Sequence, residues 1–115
     1  MKEYHPAELE EKMTHWAHEH AKLATQWAVM HGEVMSLEDR KKDFLAELTK
    51  KADGSSHAEK ERNALCSREW KVFREALSEA KKEALEMKIQ VDIAVKYWDT
   101  ARSLLSSKNT ERRMA

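Results

Sequence analysis

The chain has 115 residues, 37% of them charged, with only two Gly and one Pro, and its Lys plus Arg and Asp plus Glu are equal at 21 each. One domain fits that length, and the balance of charge argues against a dedicated basic DNA-binding domain. Four Trp and six Met that recur along a helical face argue against disorder, and polar residues spread over the whole length argue against a compact globule.

The charge is uneven along the chain. Residues 1–38 hold seven acidic and three basic side chains, and residues 39–115 hold fourteen and eighteen, so an amino part near −4 precedes a remainder near +4. Cys66 is the sole cysteine, which rules out an intrachain disulfide and suits a reducing cytoplasm. No apolar run approaches the roughly 18 residues of a membrane span. The start, Met-Lys-Glu-Tyr-His-Pro, lacks the apolar core of a signal peptide. A cytoplasmic protein without a membrane partner is expected.

In chain order, Pro6 suits a first helical turn, where its missing N–H leaves nothing unpaired, and Glu8, Glu10 and Glu11 suit a helix amino end. A first helix is expected over residues 7–51. Its apolar series runs Met13, Trp16, His20, Leu23, Trp27, Met30, Val34, Leu37, Lys41, Phe44, Leu48, alternating steps of three and four. That is a heptad seam with His20 and Lys41 as polar members. Gly32 lies off the seam and weakens the helix by ~1 kcal/mol relative to Ala without ending it.

Residues 52–57 form the expected turn. Gly54 offers a left-handed stop, and Ser56 with Glu59 matches a capping box. A second helix is expected over residues 58–106, with a seam of Cys66, Trp70, Phe73, Leu77, Ala80, Ala84, Met87, Val91, Ala94, Trp98, Ala101 and Leu105. Residues 108–115 read as a mobile tail.

The expected fold is therefore all-α: a single domain over residues 1–115, folded as a long antiparallel, coiled-coil-like helical hairpin. Folding about Gly54 would set Trp27 near Ala84, Met30 near Ala80, Trp16 near Ala94 and Met13 near Trp98, so that large side chains meet small ones. A two-helix hairpin covers each seam residue on one side only. Val29, Met35, Leu45, Leu65, Val72, Ile89, Ile93, Val95 and Leu104 widen the apolar stripe further. Assembly into a homo-oligomeric helical bundle or ring, or packing on a partner protein, follows as an expectation. Trp16, Trp27, Met30, Trp70, Phe73, Met87 and Trp98 are the seam residues expected to carry it.

The sequence offers little chemistry. His15 and His18 share a helix face with Glu11, but the second helix supplies no histidine, so a solvated face outweighs a metal site. His20, as a seam residue, reads as a neutral polar member. Clustered histidines could make assembly sensitive to pH near 6. Cys66 falls on the seam and reads as a small buried apolar residue rather than a nucleophile. There is no phosphate-cradling Gly-rich loop, no Ser/His/Asp pattern and no paired-cysteine motif, so neither an enzyme nor a cofactor is expected.

Cations gather around the turn: Lys41, Lys42, Lys50, Lys51, Arg62, Arg68 and Lys71, with Arg40, Lys60 and Arg74 beside them and Trp70 close in sequence. Such a set could track a phosphate backbone and stack a base. The competing interpretation is intrahelix pairing with the interleaved Asp39, Asp43, Glu47, Glu59, Glu61, Glu69 and Glu75. In an oligomer even a modest patch would be repeated and summed.

Several segments also resemble the recombination mediator proteins of T-even-type phages, the UvsY type. They are Lys22-Leu23-Ala24-Thr25-Gln26-Trp27, Arg40-Lys41-Lys42, the Asp53-Gly54 turn, Glu69-Trp70-Lys71, Leu77-Ser78-Glu79-Ala80-Lys81 and Tyr97-Trp98. The resemblance covers roughly residues 20–105. It implies a small helical protein that forms ring-like homo-oligomers and binds single-stranded DNA. It also implies a role in loading a strand-exchange recombinase onto DNA covered by single-strand-binding protein, in the host cytoplasm if phage-encoded. Lys41 and Lys42 carry over from the resemblance as backbone contacts. Lys50, Lys51, Arg62, Arg68 and Lys71 rest on the charge argument alone. The alternative is a coiled-coil structural or adaptor protein that binds another protein through its apolar stripe and never touches nucleic acid.

Overall fold

The computed structural model describes residues 4–114. Every element among them is helical: α1 (Pro6–Lys51), α2 (His57–Leu65) and α3 (Arg68–Met114). Their contacts divide into two compact units, a turn unit, Ala28–Leu85, and a terminal unit, Met1–Trp27 with Glu86–Ala115.

α1 begins at Pro6, preceded by His5, whose Nδ1 accepts the Ala7 N–H at 3.4 Å. Glu8 in its first turn and Lys50 and Lys51 in its last complement the helix dipole. Gly32 is part of the helix, and a Cβ there would meet nothing within 4 Å.

The turn unit corrects the expectation of two helices. The chain forms α2 first, breaks at Cys66-Ser67, and restarts as α3. Capping causes both starts. The Ser56 hydroxyl accepts the Glu59 N–H at 3.2 Å, while the Glu59 carboxylate accepts the Ser55 N–H and hydroxyl. At the break the Ser67 hydroxyl donates to the Ala64 carbonyl at 2.6 Å and accepts the Trp70 N–H at 3.2 Å. It thereby occupies both an end carbonyl of α2 and a start N–H of α3. The Asn63 side chain donates to the Asp53 carbonyl at 2.6 Å and ties α2 to the connecting segment. Gly54 has φ +155°, outside the left-handed helical stop conformation, and lies beyond the last residue of α1.

Inside this unit Val34, Leu77 and Ala84 form a buried cluster, flanked by Met30, Leu37, Phe73 and Ala80. Towards the turn Phe44, Trp70 and Phe73 stack, with ring centroids 5.0 to 6.4 Å apart, and Trp70 is 95% covered. Thr49 is buried with its hydroxyl satisfied by the Leu45 carbonyl at 2.8 Å. Phe44 faces Phe73, and Glu38 meets Lys81. The expected pairs would set Phe44 opposite residues 66–67 and Glu38 opposite residues 72–73, so the register is displaced by about two helical turns, the reversal being centred in the first turn of α2.

In the terminal unit Leu9, Val91, Ala94 and Ala101 are buried. Trp16 stacks on Tyr97 at 4.7 Å. Cations lie over the rings of Trp27 and Trp98, Lys88 5.1 Å and Arg102 5.5 Å from the ring centroids. α3 continues as helix through Met114, past the fraying point expected near residue 106. Ala115, the last residue of the expected tail, lies outside the described residues.

Candidate nucleic-acid interface

The seven cations expected to contact nucleic acid are all exposed and all belong to the turn unit. They do not share one face. Lys42 and Lys50 line a groove of about 580 Å³ between the end of α1 and the start of α2. Lys60 and His57 complete it, over a floor that includes Leu45, Ala46 and Thr49. Lys71 lies on a second surface with Leu65, Cys66, Ser67, Trp70 and Arg74. Lys51 lies on a third with Asp53, Asn63 and Glu69. Lys41, Arg62 and Arg68 line none of these three surfaces.

The intrahelix pairing weighed against a phosphate-binding role is sparse here. Among the described residues, none of the seven cations makes a contact-distance ion pair. Lys41, expected as a polar seam member, is exposed. The polar link between α1 and α3 is instead Glu38 with Lys81. Lys81's hydrogen bond, together with the positive charge of Lys81 and Lys41, holds the Glu38 carboxyl below the usual carboxylate range against a desolvation effect of opposite sign.

Among the described residues that line the Lys42–Lys50–Lys60 groove the only carboxylate is Glu61, and it faces the His57 ring at 3.8 Å. Three ammonium groups around an apolar floor can neutralise neighbouring phosphates and leave a dry surface for a base. His57 entered this site only through the fold, whereas Lys60 was already among the cations gathered around the turn, and the fold sets both in one groove with Lys42 and Lys50. Trp70, named as a stacking candidate beside these cations, is buried in the aromatic cluster and presents little ring surface.

Of the seam residues, Trp70 is buried, and Trp16, Trp27, Met30, Phe73, Met87 and Trp98 are half-buried. Cys66, expected to be buried, is exposed, because it caps the end of α2 rather than continuing a helix face. The His15 ring lies edge-on to Trp16 at 4.9 Å, and His20 lines a hollow with Ala17, Val95 and Trp98. Among the described residues no three His, Cys, Asp or Glu side chains converge as a metal site. No described helix is long and apolar enough to cross a membrane.

Comparison with family models, with curated proteins and with solved structures found no match for this chain.

Proposed function

We propose that this chain acts without catalysis, as an oligomeric single-stranded-DNA-binding accessory protein of the recombination-mediator type in the cytoplasm. In that role it helps a recombinase nucleate on a strand held by single-strand-binding protein. The observation that carries this proposal is the groove with Lys42, Lys50 and Lys60 on its rim and one carboxylate within it. A flexible single strand can follow such a groove and place bases against Leu45 and Ala46, whereas a duplex is stiffer and hides its bases. Lys41, Lys51, Arg62, Arg68 and Lys71 then serve as outlying phosphate contacts that repeat from subunit to subunit.

A second function, a coiled-coil adaptor that binds protein and no nucleic acid, has its own support. Val29, Met35, Val72, Leu85, Ile89 and Tyr97 are each at least half exposed. Fluorescence anisotropy of a labelled single-stranded oligonucleotide, at low and near-physiological salt, separates the two. The mediator proposal expects binding that weakens steeply with salt and prefers single strands to duplex. Replacing Lys42, Lys50 and Lys60 together by Ala is expected to lower the slope of log affinity against log salt by about two, at ~0.7 per lost phosphate contact. Absence of binding at low salt overturns the proposal in favour of the adaptor.

A further inference from the structure

α3 has a second apolar face in the terminal unit. Its buried face there is made by Val91, Ala94 and Ala101, with Trp98 half-buried beside them. Ile89, Ile93 and Tyr97 follow at four-residue steps on another face, and Leu104 returns to that side seven residues later. At 100° per residue this stripe is turned roughly a third of a turn from the buried face. Its members are 50%, 38%, 52% and 41% exposed. Most of these side chains are larger than the alanines the same helix turns inward, an inversion of the usual order for a helix with one buried face.

We infer that this stripe is a self-recognition surface on which a second copy of the chain packs antiparallel, about a twofold axis near Tyr97. Charge selects this occupant and this direction. A twofold there sets Ile89 opposite the partner's Leu104, Ile93 opposite the partner's Thr100, and Tyr97 beside the partner's Tyr97. The same operation brings Glu86 to within one residue of the position opposite the partner's Lys108 at both ends of the stripe. Glu86 makes no contact-distance ion pair among the described residues, and Lys108 has only a long contact, 3.8 Å, with Glu111. An in-register parallel pair would instead bring Glu86 towards its own copy and forgo both attractions. The pairing holds whether or not the chain binds nucleic acid, so it stands apart from the function proposed above.

Cysteine cross-linking in a Cys66→Ser background tests it, since native Cys66 is exposed and would cross-link on its own account. Residues 93 and 100 are roughly 10 Å apart along one helix, beyond the span of a disulfide, so they bond only between chains. The Ile93→Cys/Thr100→Cys double variant is expected to give a covalent dimer on mild oxidation, and neither single variant is. Cross-linking of Ile93→Cys alone means parallel pairing and overturns the inference. So does a failure of the double variant to cross-link, whatever oligomer light scattering reports. As an independent readout with no cysteine, Glu86→Lys is expected to weaken self-association by roughly fivefold or more, two symmetry-related pairs being lost. Adding Lys108→Glu on the same chain is expected to restore it. An unchanged affinity for Glu86→Lys, or no restoration, overturns the antiparallel register.

Discussion

The two units use the same kind of helix in opposite ways. The turn unit turns its large side chains inward: Trp70, Phe44, Phe73, Leu77 and Val34 fill it, and its surface carries the unpaired cations. The terminal unit turns alanines inward along much of α3, at Ala94 and Ala101, and leaves Ile89, Ile93, Tyr97 and Leu104 roughly two-fifths to half exposed. Small residues on a helix face allow close approach of a neighbour but bury little apolar area, so stability gained inside the terminal unit is modest. The turn unit thus has the larger interior side chains, although it too leaves Val29, Met35, Leu65, Val72 and Leu85 exposed, and the terminal unit has the smaller ones. Two short-range features reinforce the first: an α2 capped at Ser56, and a restart of α3 capped at Ser67.

That contrast can be broken by substitution. The largest effect is expected for Trp70→Ala, which opens a cavity beside Phe44 and Phe73 and should destabilise by ~3–5 kcal/mol in chemical denaturation. Trp16→Ala, with its half-buried ring on Tyr97, should cost about half as much. Equal losses would mean the terminal unit is as tightly packed as the turn unit. Next comes Ala94→Leu, at a fully buried position, where overpacking should cost about 1–3 kcal/mol. A stabilised Ala94→Leu would show that the inward face has room to spare.

The smallest effect concerns acid. The Glu38 carboxyl is held below its ordinary range chiefly by the Lys81 hydrogen bond, and Glu59 by the bonds from Ser55. A depressed carboxyl adds stability that is present above its unfolded pKa and is lost as pH falls through the folded one. Stability of the turn unit should therefore decline below the ordinary carboxylate range. Glu38→Gln should flatten part of that decline, as read from denaturation midpoints between neutral pH and pH 3. Identical profiles for the variant and the parent would remove Glu38 as a contributor.

Periodicity made much of the helical architecture legible. An apolar series that alternates three and four cannot be satisfied by strands, so the all-helical class and the presence of two long helices were readable from one dimension. The break at Cys66-Ser67 was not, because the seam series passes through it without a slip and position 66 therefore looked like a buried seam residue. Its signal was local and easily overridden: two poor helix formers, the second a Ser three residues before the Trp70 N–H that it caps. The register error of about two turns in the turn unit has the same origin, since α2 moves the centre of the chain reversal away from Gly54.

The candidate site divides along the same line. Which residues are cationic or apolar is a property of composition and spacing, and the sequence alone determined it. Which cations share a groove depends on how α2 lies against the end of α1, and the tertiary structure alone decided that Lys42, Lys50 and Lys60 meet while Lys51 and Lys71 lie on other surfaces. The same is true of the outer stripe of α3. Ile89 and Ala94 both sit in an apolar-rich helix, and only packing against α1 determines which is covered. The physical reason is that helical periodicity assigns a residue to a face, whereas burial depends on the partner that the face finds.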